Sequence, residues 1–92
     1  MGAVNTTRTD RQEIRDVADA QDPKWQLMAD PDKPKDLFNR GMHQVEVYYD
    51  DSDTATLATH KRGHAPNATV PGVGKAVAAA IGWLQSQKPD QV

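Results

Sequence analysis

An alternating pattern near the middle of the chain constrains the fold more than any other feature. In residues 42–49, apolar and polar side chains alternate, and β-branched and aromatic residues dominate. This period of two is typical of a β-strand with one buried face. Residues 50–53, DDSD, favour a turn because short Asp and Ser side chains hydrogen-bond to nearby backbone. Residues 54–60 then favour a second strand, so the segment predicts an antiparallel hairpin in which His43 lies on the apolar face.

Helical periodicity lies on both sides of this hairpin. Apolar residues recur at helical spacing in residues 11–21 and again in residues 73–87, which predicts two amphipathic helices. Asp10 and Glu13 have the spacing of a capping box at the start of the first helix. Alternation over residues 25–27 predicts a short strand after that helix.

The connections are predicted from proline, glycine and charge. Residues 30–35, DPDKPK, read as a loop, as do residues 61–72. Residues 34–41 fit either a single helical turn that ends at Gly41 or an extended insertion. Together these elements predict an α+β fold of two layers in the order α-β-β-β-α, with a three-stranded antiparallel sheet covered on one face by two helices.

The composition predicts one small domain. The chain has 92 residues, 37% of them hydrophobic, and no cysteine, so disulfides are excluded and the core is thin enough to favour support from a homodimer partner. Residues 10–88 are expected to fold, whereas residues 1–9 are expected to be disordered and residues 89–92 to form a tail. The absence of a signal-like or membrane-spanning segment predicts a cytoplasmic protein with no membrane partner.

Charge is distributed unevenly along the chain. Of the 13 acidic residues, all but Asp90 lie within residues 1–53, and residues 54–89 contain none. A stretch of cationic residues without acids is typical of a surface that binds nucleic acid. The alternative is chance in a short alanine-rich segment.

Gly41, Met42 and His43 open the first hairpin strand, and a basic end of the hairpin precedes the last helix. In this arrangement the chain resembles the HicA-type mRNA interferases, toxins of bacterial toxin-antitoxin pairs, and more broadly the double-stranded-RNA-binding-like fold. The resemblance implies a catalytic His43 that cleaves RNA without a metal by moving a proton. It also implies that Lys61, Arg62 or backbone N–H groups of the last helix stabilise the transition state, and that an antitoxin is a partner. The alternative is a histidine at a strand end packed against Trp25 or the hairpin.

Several cationic and titratable side chains are candidates for RNA contact. The predicted RNA-binding set is Lys61, Arg62, His60, His64 and Lys75. No cofactor is expected, because the PGVGKA segment lacks two positions of a phosphate-binding loop. No metal site is expected either, because three histidines without cysteine are a poor ligand set for structural zinc.

The last helix carries small residues on its outer face. Ala78, Ala79 and Gly82 would let another backbone approach closely, which makes them a candidate partner interface; the alternative is that alanine is present for its helix propensity. Two functions therefore remain open. One is a HicA-like RNA-binding protein, with RNA cleavage as its further expectation. The other is a non-enzymatic interaction or regulatory module of phage or plasmid type that acts through a protein partner.

Overall fold

The computed structural model describes residues 8–29, 32, 34–63 and 68–86. Two helices flank five strands in the described chain. In order, these elements are α1 (Asp10–Ala20), β1 (Gln26–Ala29), β2 (Lys35–Arg40), β3 (His43–Tyr49), β4 (Ala55–Arg62), β5 (Ala68–Pro71) and α2 (Lys75–Ser86).

The five strands form one antiparallel sheet in the order β1-β2-β3-β4-β5, so each strand pairs with its neighbours in sequence. The prediction of a three-stranded sheet is therefore wrong. The predicted hairpin is confirmed as β3 and β4, and both helices pack on one face of the sheet, as expected. The two additional strands come from segments that were predicted as loops or left open.

Strand β2 was ambiguous in sequence because charged residues occupy its buried face. Its side chains alternate between buried and partly exposed positions, and the buried ones are Asp36, Phe38 and Arg40. An alternation of this kind cannot be recognised from hydrophobicity when two of the three inward residues are charged. The Gly41-Met42 turn then connects β2 to β3, with Gly41 at a φ of 60°. Glycine adopts this left-handed conformation without the steric cost of a Cβ atom.

Strand β5 was missed because its sequence carries loop signals. It pairs with β4 from Leu57 to His60 and ends at Pro71, a residue without a backbone N–H. A proline is tolerated here because β5 is the edge strand and that residue needs no ladder hydrogen bond on its outer side.

Both predicted helices are present, with a different N-cap on α1. Thr9 caps the helix, and its side chain accepts a hydrogen bond from the backbone N–H of Gln12 at 3.1 Å. Asp10, the expected cap, instead accepts a hydrogen bond from the backbone N–H of Ala55 at 3.0 Å. This contact ties the start of α1 to the start of β4.

The core lies between the helices and the sheet. Its largest fully buried apolar side chains come from α1, α2, β2 and β3: Ile14, Phe38, Val45, Val47 and Leu84. The indole N–H of Trp25 donates a hydrogen bond to the backbone carbonyl of Leu84 at 3.0 Å, which joins the segment after α1 to the end of α2.

The predicted N-terminal segment, apart from residues 8 and 9, and the predicted C-terminal tail lie outside the described residues. In the described part of the chain, neither helix is long and apolar enough to cross a lipid bilayer.

Candidate functional site

Three neighbouring strands present cationic or titratable side chains side by side at one end of the sheet. Arg40 pairs with His43 across β2 and β3, and His43 pairs with Arg62 across β3 and β4. Residues directly opposite one another in a sheet point to the same face, and this face is the one covered by the helices. We call Arg40, His43 and Arg62 the basic row. Arg40 and His43 are buried, whereas Arg62 is exposed.

The two arginines of the basic row differ from the other three arginines in their ion pairs. Of the five arginines in the chain, Arg8, Arg11 and Arg15 each form an ion pair with an aspartate. Among the described residues, no carboxylate forms an ion pair with Arg40 or Arg62.

Arg40 is held by contacts that do not neutralise its charge. The residue is 7% exposed, and its guanidinium lies 4.4 Å from the centre of the Trp25 ring. Its Nη1 donates to the backbone carbonyl of Pro23 at 3.0 Å, and its buried Nε has no hydrogen-bond partner. Burial lowers the pKa of Arg40, which is the expected effect of low dielectric on an unpaired cation.

His43 and His60 form a direct imidazole–imidazole hydrogen bond. Nδ1 of His43 lies 3.3 Å from Nε2 of His60, the ring centroids are 5.6 Å apart and the ring planes are inclined by 15°. The distance between the two ring centroids exceeds the distance between the two nitrogens by about one ring radius for each ring. The two nitrogens therefore lie close to the line that joins the centroids and point at each other. One ring therefore donates and the other accepts.

Two indoles enclose this pair. The Trp25 ring contacts the His43 ring edge-on, with 6.4 Å between centroids, and the Trp83 ring stacks on the His60 ring at 5.5 Å. The four rings are thus in contact one after another, from the segment after α1, through β3 and β4, to α2. His43 is 5% exposed and packs against Trp25, whereas His60 and Trp83 are partly exposed.

His60 resists protonation in this environment. Burial, followed by the charges of His43 and Arg62, lowers the pKa of His60. A histidine whose pKa lies below the usual value near 6.5 is neutral at physiological pH. Arg40 and Arg62, rather than His60, therefore supply positive charge to the site at neutral pH.

The buried Asp36 is the opposite case, since its charge is fully compensated. Arg15 donates two hydrogen bonds to it at 2.8 and 2.7 Å, Arg11 donates one at 3.1 Å and the Tyr49 hydroxyl donates another at 3.1 Å. Burial opposes ionisation of Asp36, but the hydrogen bonds from Arg15 and Arg11 outweigh it and hold the pKa below its usual range. This network fastens α1 to the sheet and leaves no free charge for a ligand.

The predicted RNA-binding residues do not form one surface. Arg62 and His60 lie on the helix side of the sheet, whereas Lys61, their neighbour in β4, points to the open face because successive side chains of a strand alternate. Lys75 begins α2 at the opposite end of β4, where the backbone N–H of Gly72 donates to the carbonyl of Thr56. His64 lies outside the described residues.

The predicted partner interface lies along α2. Ala78 and Gly82 are exposed and Ala79 is half-buried, so these small residues are on the outer side of the helix.

Sequence reasoning named Trp25 as a packing partner of His43, and the two rings are in contact; it missed Arg40 and Trp83 as members of the site. Recognising Gly41-Met42 as a two-residue hairpin turn would have placed Arg40 opposite His43, because Gly at the first central position is typical of a type II′ turn. Trp83 had no such local signal, since its neighbour His60 is distant in sequence.

The described residues contain no group of three or more His, Asp or Glu side chains arranged to hold a metal ion. In the histidine pair, the two ring nitrogens already point at each other, so a metal could not bind both without rotation of a ring. The comparisons with known proteins found no protein-family model, no curated protein and no solved structure that matches this chain.

Proposed function

We propose that the protein binds RNA at the basic row, as a HicA-like RNA-binding protein would. The observation that carries this proposal is the pair of arginines, Arg40 and Arg62, that have no carboxylate partner among the described residues. Phosphate binding by proteins depends mainly on such cations and on the release of counterions.

The spacing of the two arginines suits a phosphodiester chain. One strand separates them, so their backbones are about 10 Å apart. The exposed Arg62 can contact a phosphate directly, whereas the buried Arg40 would act on it through its charge. A guanidinium binds phosphate oxygens through two parallel N–H groups. The partly exposed ring of Trp83 lies beside His60 and offers an apolar surface for a base.

A second candidate function is metal-independent RNA cleavage at the same position. The hydrogen bond between His43 and His60 favours it, because two linked imidazoles can exchange a proton and act in turn as acid and base. Arg62, paired with His43 across the sheet, would then stabilise the charge that develops on phosphorus.

The binding proposal predicts which cations matter. We expect short single-stranded RNA to bind at low salt and to lose affinity as salt rises. Arg62→Ala should lower the slope of log K against log salt by about one. Lys61→Ala and Lys75→Ala are matched comparisons, since each removes one exposed cation from a different surface, and both should have smaller effects. Fluorescence anisotropy over a salt series measures all four proteins.

Two results would contradict RNA binding at the basic row. One is the absence of binding at low salt, which would favour the non-enzymatic module acting through a protein partner, with the Ala78, Ala79 and Gly82 face of α2 as the candidate contact. The other is an equal loss of affinity in all three variants, which would indicate nonspecific attraction without a defined site.

The cleavage candidate is tested with purified protein and a labelled RNA in the presence of a chelator. His43→Gln should abolish cleavage, whereas its melting temperature should show whether the fold is retained. General acid–base catalysis contributes about 10²- to 10⁴-fold, so a loss of this size with an unchanged fold would support catalysis. Intact RNA after incubation with the wild-type protein would exclude cleavage and leave RNA binding as the proposed function.

A further inference from the structure

The hydrogen-bonded histidines can hold one extra proton and not two. When both rings are neutral, a single N–H joins Nδ1 of His43 to Nε2 of His60. One added proton gives an imidazolium that still donates to its neutral neighbour, so the central hydrogen bond persists. A second proton would place two donors and two positive charges face to face at 3.3 Å.

The surroundings of His60 disfavour its protonation in the free protein. Arg40 from β2 and Arg62 from β4 flank His43, while α2 and the segment after α1 contribute the uncharged rings of Trp83 and Trp25. The exposed Asp19 and Lys24 near this end of α1 pair with each other at 3.6 Å. Burial, followed by the charges of His43 and Arg62, lowers the pKa of His60.

We infer that His60, held by its hydrogen bond to His43, takes up a proton when RNA binds to the basic row, so that acidification strengthens binding. The inference rests on the proposed RNA-binding function and adds its regulation. A phosphate held by Arg62 places negative charge beside His60 and offsets the repulsion that keeps His60 neutral. Because linkage is reciprocal, a ligand that favours protonation binds more tightly when the proton is already present.

The experiment follows the affinity of a short fluorescein-labelled single-stranded RNA between about pH 8 and pH 5.5, the range in which histidine titrates and carboxylates do not. A His64→Gln background removes the third histidine of the chain. We expect the affinity to rise as the pH falls, with a limit of about tenfold per pH unit for one linked proton. His60→Gln should abolish this dependence, because glutamine can still donate a hydrogen bond to His43 but cannot take up a proton.

A second measurement counts the protons directly and does not depend on a variant. Isothermal titration calorimetry of the same RNA, in two buffers with different ionisation enthalpies, gives the number of protons absorbed on binding. We expect an uptake between zero and one near pH 6.5 that approaches zero near pH 8. If His60→Gln does not fold, this count on the His64→Gln protein decides the question.

Three results would overturn the inference. RNA binding with equal affinity across the pH range would contradict the inference and leave the proposed function intact. A pH dependence that persists in a folded His60→Gln protein would assign the proton to other groups. An absence of RNA binding at low salt would overturn both the inference and the proposed function.

Discussion

Arg40 and Asp36 are both buried charged residues of β2, but their surroundings differ. The charge of Arg40 is buried, its Nε has no hydrogen-bond partner, and its one described hydrogen bond goes to the backbone carbonyl of Pro23. Buried charges in proteins are ordinarily paired, because desolvation of an ion costs several kcal/mol. Asp36 in the same strand follows this rule, with two arginines and a tyrosine around it. This difference between the two residues is the reason why we propose Arg40 as part of a ligand site.

Replacing Arg40 separates its structural role from its binding role. Arg40→Met retains a long side chain that can pack on Trp25 and removes the buried charge. We expect the free energy of unfolding to stay the same or to rise by about 1 kcal/mol, while RNA affinity falls. Urea unfolding and RNA anisotropy on the same protein measure both quantities. A large loss of stability would assign Arg40 to the architecture instead.

At the scale of the elements, α2 contains a glycine that its backbone does not require. Gly82 lies within the helix, and a Cβ atom built on it meets no atom within 4 Å. Gly74, just before the helix, also has open space around it, but its φ is 84°. The two glycines therefore differ in backbone conformation while sharing the same free volume.

This contrast predicts opposite effects of the same substitution. Gly82→Ala should stabilise the protein by up to about 1 kcal/mol. Alanine has a higher helix propensity than glycine because its unfolded backbone has less conformational entropy to lose. Gly74→Ala should destabilise the protein by about 1–2 kcal/mol, because an L-residue strains at that φ. Chemical denaturation compares both variants with the wild type. Destabilisation by Gly82→Ala would show that the outer face of α2 is closely packed in solution, as the predicted partner interface requires.

At the scale of the whole molecule, two titratable groups couple folding to pH. The pKa of His60 is lowered, first by burial and then by the charges of His43 and Arg62, so the unfolded chain takes up a proton that the folded chain resists. The pKa of Asp36 is also lowered, because hydrogen bonds from Arg15 and Arg11 outweigh burial. In both cases the folded state binds fewer protons than the unfolded state, and stability falls with acidification.

The two groups act in separate pH windows. We expect the free energy of unfolding to be constant near pH 8, to decrease as the pH falls below about 6.5 because of His60, and to decrease again below about 3.9 because of Asp36. Denaturant titrations at intervals between pH 8 and pH 3 measure this profile. His60→Gln should remove the upper step and leave the lower one. Constant stability between pH 8 and pH 5 would contradict a lowered pKa of His60 in the folded protein.

The hairpin and the two helices could be predicted from the sequence because their information is local. Alternation over residues 42–49, the turn residues at 50–53 and the helical period in residues 73–87 each depend on side chains close together in the chain. The corresponding elements β3, β4 and α2 are present. The five-stranded sheet could not be predicted in the same way, because β2 buries two charged residues and β5 is supported by its pairing with β4.

The candidate site likewise has a part that the sequence predicts and a part that only the tertiary structure shows. The sequence by itself determined that His43 begins a strand on its apolar face, and that cationic residues without acids follow in the second half of the chain. Only the tertiary structure decided that His60 meets His43, that Arg40 and Arg62 flank them, and that Lys61 and Lys75 lie elsewhere. The physical reason is that strand register and the packing of α2 bring together side chains from distant positions. These contacts depend on cooperative burial across the whole sheet, which no local pattern records.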